Sequence, residues 1–222
     1  MHKKTAKKLL KKVKQDYSQI SDEFDKTRQT NWKEFEIFLP YIKNSQKVAD
    51  LGCGNGRLYK FLKKHTKINY IGIDNSAQLL NKAKKAFPKA KFINANLTLL
   101  PNIKVDLCLA IASLHHIPSK PLRQKAIKQF HKILKKNGTL IITVWNLFQP
   151  KYKKYIWKSR IRHILSLGKY DARDTFIPWG KTKVKRYYYA FKPKELRKLL
   201  QNKFEILKEE KSNNFTLICR KK

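Results

Sequence analysis

The residues best suited to chemistry form the run Asp50-Leu-Gly-Cys-Gly-Asn-Gly56, with a second carboxylate, Asp74, about twenty residues further on. Glycines at alternate positions let a backbone turn sharply and approach a ligand without interference from Cβ atoms. The spacing is G-x-G-x-G, which differs from the G-x-G-x-x-G of dinucleotide sites. A buried strand ends at Leu51 and a helical pattern begins after Gly56, so the turn sits at the carboxyl end of a strand. Asp74 ends the following strand, a position from which a carboxylate can accept both hydroxyls of a ribose. A purely structural turn would also use glycines, but it would not explain two acids placed in step with the strands.

A second group lies downstream. Ser113-Leu-His-His-Ile117 follows the fourth strand, and Val144-Trp145-Asn146 ends the fifth. Imidazoles there could serve as bases toward a neutral acceptor or simply pack, and the sequence leaves both readings open for His115 and His116. The stretch 149–194 has only Asp171 and Asp174 as acids, with Tyr152, Tyr155, Trp157, Tyr170, Trp179, Tyr187 and Tyr188 among its cations. Such a mixture suits an RNA loop, with cations on phosphates and rings stacked on unpaired bases. The alternative is a lid whose rings pack on the domain while its lysines are merely solvated.

Positioning these residues requires alternating strands and helices. Apolar spacing predicts helix from Thr5 to Phe24 and again around Trp32 to Tyr41. Strands are expected at 47–51, 69–74, 91–94, 105–111 and 139–145, with helices after the first and second and a long amphipathic helix from Pro121 to Lys135 capped by Gly138. This alternation predicts a Rossmann-like, doubly wound α/β fold with a mostly parallel sheet. Phe204–Glu210 and Phe215–Arg220 flank Ser212-Asn-Asn214 and read as a terminal antiparallel hairpin. The expected organisation is a basic helical segment at 1–44 packed on a domain at 45–222, with 147–194 as an insertion for substrate recognition.

Composition narrows the partners. With 52 basic and 15 acidic residues, the formal charge of +37 favours a polyanion. A bias toward lysine, asparagine and isoleucine of the kind AT-rich coding produces explains why the bases are lysines better than why acids are scarce. Cys53, Cys108 and Cys219 are too far apart to suggest a metal site. No apolar run reaches the length of a membrane span, and the basic N-terminus lacks the apolar core of a secretion signal, so a cytoplasmic location is expected.

The Gly-rich run, its two acids and the strand order resemble the S-adenosylmethionine (SAM) motifs of class I methyltransferases over roughly residues 45–146. That resemblance implies a seven-stranded sheet and SAM as cofactor. It places Gly52, Gly54 and Gly56, with Cys53 and Asn55 between them, around the methionine part, and Asp50 on its amino group. Asp74 would take the ribose and Asn75 would lie beside the adenine. Asn96, followed by Leu97, stands where the motif usually carries an aspartate; its amide oxygen would accept from the adenine amino group.

The Ser113-Leu-His-His run, Arg123, Gly138–Trp145, Tyr17–Phe24 with Thr27, Arg28 and Trp32, and Arg186-Tyr-Tyr-Tyr-Ala-Phe191 with Glu195-Leu196 are similar to the tRNA wobble-uridine carboxymethyl methyltransferases. That family usually carries histidine where this chain has Tyr189. The likeness implies methyl ester formation on a carboxymethyluridine, with Arg28, His116 and Arg186 as candidates to orient the acceptor. It also implies a tRNA partner and, in eukaryotic members, a small activator protein. Rival readings are a methyltransferase for a small molecule and a silent RNA-binding subunit that kept the fold.

Overall fold

A computed structural model describes every residue except Gln29, Asn31 and Lys181, together with the side chain of Lys33. Lys181, one of the cations in the basic insertion, therefore lies outside the described residues. The chain opens with α1 (Lys3–Gln19) and α2 (Ser21–Thr27), which bend at Ile20 and so divide the single expected helix. The second expected helix is a 3-10 segment, Lys33–Tyr41, with Pro40 in its last turn.

The α/β alternation follows: β1 (Lys47–Leu51), α3 (Arg57–Leu62), β2 (Asn69–Asp74), α4 (Ala77–Ala86), β3 (Lys91–Asn94), β4 (Val105–Ile111), α5 (Lys120–Ile133) and β5 (Leu134–Trp145). After β5 come α6 (Lys153–Leu165), β6 (Asp174–Pro178), β7 (Lys185–Tyr189), α7 (Pro193–Leu200), β8 (Phe204–Lys211) and β9 (Asn214–Lys221).

Seven strands form one sheet in the order β3-β2-β1-β4-β5-β9-β8. The first five run parallel, while β9 pairs antiparallel with β5 and β8 antiparallel with β9. The fold is thus a doubly wound α/β sheet closed by an antiparallel hairpin. Alternation along each strand divides the core between its faces. Val48, Leu107, Leu109, Ile141 and Ile218 meet Phe35, Phe38, Leu58 and Phe61 on one side. Leu51, Cys108, Leu140 and Ile142 meet α1, α5 and α7 residues such as Leu9, Phe130 and Leu196 on the other.

The expected Gly138 cap is corrected. Helix α5 stops at Ile133, and β5 pairs Leu134 with Val105 before a register shift at Val105/Leu107. Asn137, at φ 59°, takes the left-handed turn instead. Gly138 is needed for space, since a Cβ there would lie 3.0 Å from Lys135 O and 3.1 Å from Asp106 O.

Strands β6 and β7 form a separate antiparallel ribbon within the insertion. Alternation on β7 turns Arg186 and Tyr188 inward toward the end of the sheet. Of the two readings left open for the aromatic rings, packing on the domain describes most of them. Tyr187 and Tyr188 are fully buried, Trp179 is 7% exposed, and Tyr152, Tyr155 and Tyr170 are half-buried. Trp157 alone of that set stands open, at 64% exposure. The rings fill the seam between ribbon, α6 and sheet, where their apolar area is worth more than it is in solvent.

Candidate active site

The carboxyl ends of β1, β2, β4 and β5 open into one cavity of about 1150 Å³, including its solvent-open mouth. This is the crevice where open α/β sheets hold ligands. Helices α1 and α2 roof one side of it and the β6–β7 ribbon the other. Asn55 Nδ2 donates to Asp25 Oδ1 at 2.8 Å, tying the roof to the glycine turn. Trp179 Nε1 donates to Glu23 Oε2 at 2.9 Å, tying it to the ribbon.

At the glycine turn, Gly52 has φ +89°, and a Cβ on it would lie 2.5 Å from Ser113 Cβ. No side chain fits. Asp50 is 2% exposed, and its Oδ2 accepts from the Tyr70 hydroxyl at 2.7 Å. Burial pushes its carboxyl up to about 7 against the lowering effect of that hydrogen bond, and Asp74 nearby adds to the rise. Asp74 Oδ2 accepts from Gly54 N–H at 2.9 Å and Oδ1 from Ser76 N–H at 2.8 Å. Burial raises its carboxyl and these backbone donors hold it down.

Asp50, Gly52, Cys53, Gly54, Asn55, Asp74, Asn75, Asn96 and Leu97 all line this cavity, as do Arg28, His116 and Arg186. Gly56 does not. It is the N-cap of α3 at φ +79°, and its α-carbon faces the Phe87 ring, 3.1 Å from an added Cβ. Asn96 also differs from expectation. Its Oδ1 accepts from Thr98 N–H at 2.9 Å and from Thr98 Oγ1 at 3.0 Å, which spends both lone pairs on its own turn. Its amide NH2 is what remains for a ligand.

The other end of the cavity is cationic and aromatic. Arg186 is 4% exposed, with its guanidinium 4.4 Å from the Trp179 ring centroid and 5.1 Å from that of Tyr188. Arg28 lies on the same Trp179 at 5.1 Å, and burial, then repulsion from Arg186, lowers its pKa. His116 Nδ1 faces Tyr187 O at 2.8 Å and must donate, so its Nε2 accepts from the Tyr17 hydroxyl at 2.8 Å. Burial pushes this imidazole down to about 3. With both nitrogens engaged, His116 is no general base; it orients Tyr17, whose oxygen accepts from Arg186 at 3.4 Å.

Four buried polar atoms lack a partner among the described residues: Ser113 Oγ, His115 Nε2, Arg186 Nε and the Tyr188 hydroxyl. All four residues line this cavity. Sequence reasoning passed over Tyr17, Tyr70 and Arg57 as site residues. Arg57, packed on Trp32 at 4.3 Å and lowered to about 10 by burial, lines the same space. Only their fold-dependent proximity marks them, since no local spacing does.

This crevice, with a glycine turn too tight for a side chain and acids closing β1 and β2, fits SAM, and residues 48–138 match the family model described as a methyltransferase domain. The chain carries a class I SAM-dependent methyltransferase domain. It is similar to the tRNA (carboxymethyluridine(34)-5-O)-methyltransferase ALKBH8 of Mus musculus, at 31% identity over 155 residues, covering 68% of this chain and 23% of that one. It is 28% identical to the Schizosaccharomyces pombe tRNA (carboxymethyluridine(34)-5-O)-methyltransferase over 186 residues, 83% of this chain and 74% of the relative. The chain spans less than a quarter of the length of the ALKBH8 relatives it matches. A Methanosarcina mazei SAM-dependent methyltransferase shares the fold with a TM-score of 0.69 at 22% identity, covering 83% of this chain and 96% of that one.

Proposed function

We propose that this chain transfers the methyl group of SAM to the carboxylate of a 5-carboxymethyluridine at the wobble position of tRNA, leaving a methyl ester. The observation that carries the acceptor assignment is the buried Arg186, whose Nε lacks a partner among the described residues and whose side chain lines the cofactor cavity. A buried cation with an unused donor calls for an anionic ligand. The relatives, tRNA (carboxymethyluridine(34)-5-O)-methyltransferases by name, supply the particular anion.

When bound, SAM supplies an electrophilic methyl group on its sulfonium. The backbone of Gly52, Cys53, Gly54 and Asn55 cradles the methionine part, and Asp50 takes its amino group. Asp74 holds the ribose, and Asn75, Asn96 and Leu97 flank the adenine. Arg186 and Arg28, fixed on Trp179, hold the acceptor carboxylate; His116 keeps Tyr17 and hence Arg186 in place. A carboxylate is already ionised near pH 7, so no base is needed. What the protein must provide is alignment and exclusion of water, and the roof of α1 and α2 serves both.

The basic surface would carry the RNA, and a small activator protein and a cytoplasmic setting belong to the same reading. Among the described residues no helix is long and apolar enough to cross a membrane. A small-molecule acceptor is the second reading, favoured by the packing of the insertion's aromatic rings into the fold.

The test is incubation with radiolabelled SAM and total tRNA, with and without a candidate activator, followed by nucleoside analysis. Label in a wobble uridine that is lost on mild alkaline hydrolysis is the expected result. Intact SAM binding with no transfer to RNA under either condition would overturn the RNA reading and favour a small acceptor.

A further inference from the structure

His115 is 1% exposed and follows β4 by four residues, in the short 3-10 turn Leu114–His116. Its Nδ1 lies 3.1 Å from the Trp145 backbone N–H, which donates to it. That nitrogen must carry the lone pair, so the proton of the neutral ring sits on Nε2. Nε2 is buried, has no partner among the described residues, and belongs to a residue lining the cavity. The ring is caged by His116 at 4.4 Å, Tyr188 at 5.1 Å and Trp145 at 6.0 Å between centroids. Burial, with His116 and Arg186 alongside, drives its pKa well below the ordinary histidine value, so it stays uncharged. An unmatched N–H in such a place is costly, and native proteins keep one where water, an ion or a ligand completes it; beside a buried cation in a ligand cavity, an anionic ligand does so best.

Arg186 Nε, also unpartnered, can only donate. Two donor-only groups therefore share one cavity with the unpartnered Ser113 hydroxyl. A carboxylate offers only lone pairs to such a set. Its amide has a single acceptor oxygen, and with its NH2 turned toward either donor both N–H groups stay unpaired, whereas a carboxylate accepts through either oxygen.

We infer that His115 is a specificity-determining residue for the acceptor: its Nε2–H donates to a carboxylate oxygen and rejects the corresponding amide. The inference rests on the methyl-ester reading for its substrate class, but its chemistry is testable apart from it. The role is that of a fixed neutral donor. Proton abstraction is closed to this ring because Nδ1 is committed to Trp145 and Nε2 already carries its hydrogen.

The first experiment uses the full chain labelled with 15N-histidine, assigned with the His115→Asn variant. The expected spectrum shows His115 as the neutral Nε2–H tautomer, unchanged from about pH 6 to 8, well above its depressed pKa. Sodium acetate should shift the Nε2–H signal, while acetamide at the same concentration should not. A Nδ1–H tautomer, a charged ring, or equal responses to acetate and acetamide would overturn the inference.

The second experiment compares variants on carboxymethylated tRNA. Asparagine keeps an oxygen near the Nδ1 position for Trp145, whereas glutamine puts an amide N–H near the Nε2 position. We expect H115N to lose about ten- to hundredfold in kcat/KM. H115Q should recover much of that loss, and tRNA bearing the amide should compete better against H115N than against the parent. Equal loss in both variants, tracking a matching loss of melting temperature, would reveal a structural pin and overturn the inference. If the acetate signature holds but no tRNA is methylated, the tRNA reading fails while His115 remains the carboxylate donor.

Discussion

Asp50 makes the cofactor end of the cavity sensitive to pH. Its buried carboxyl, raised to about 7, binds a proton that the unfolded chain releases near pH 4. The folded, cofactor-free chain therefore holds more protons between about pH 4 and 7, and its stability falls as pH rises through that window. A cationic amino group beside Asp50 favours the ionised form, so SAM affinity should strengthen with pH up to about 7 and then level. Calorimetric titration across this range checks it. Asp50→Asn should bind SAM more weakly and without that slope; an unchanged slope would remove Asp50 from the amino-group site.

Gly52→Ala, which puts a Cβ at φ +89° against Ser113, should abolish SAM binding by the same assay. Both residues were legible in the sequence because their meaning is local: a strand, a tight turn and an acid in fixed order. Tyr70, on the neighbouring strand, and Tyr17, far away in the chain, were not, because only pairing in space gives them partners.

Among the elements, β1 to β4 could be read to the residue, since buried runs bounded by turn residues have few alternatives, whereas β5 begins at Leu134, five residues before its expected start. The long helix before β5 was misjudged at its end because Asn-Gly offers two candidates for one turn, and sheet register chose Asn137. The insertion was harder. Its rings look the same in sequence whether they face outward or fill a seam, and only the pairing of β6 with β7 shows that most of them pack inward.

Trp179 joins that ribbon to α2 through Glu23 and carries Arg28 and Arg186 on its ring. Replacing it with alanine should cost about 3 kcal/mol of stability. It should also raise the KM for the acceptor several-fold while leaving SAM affinity near its original value. A matching loss of SAM affinity would show that the ribbon supports the whole cavity rather than its acceptor end.

At the scale of the molecule, a formal charge of +37 sets the terms of any encounter with RNA. If at least about six phosphates are neutralised, binding should weaken about a thousandfold or more between roughly 50 and 200 mM salt. Filter binding with total tRNA measures this, and affinity that hardly changes with salt would rule out backbone contacts as its main source. Charge favours a polyanionic partner without naming it, which is why the sequence alone could not choose among RNAs.

The roof over the cavity also has a history in time. Tyr17 leaves the ribosome well before its partner, since the Arg186 side chain that bonds its hydroxyl is 169 residues further along. Trp179, which pins Glu23, follows it by 156. During synthesis the glycine turn and its acids can form while α1 and α2 still lack their seat, and contacts of such long sequence separation form slowly. For that interval the apolar stripe of a lysine-rich amphipathic helix, with Leu9 and Val13, stands uncovered on the nascent chain and open to a chaperone.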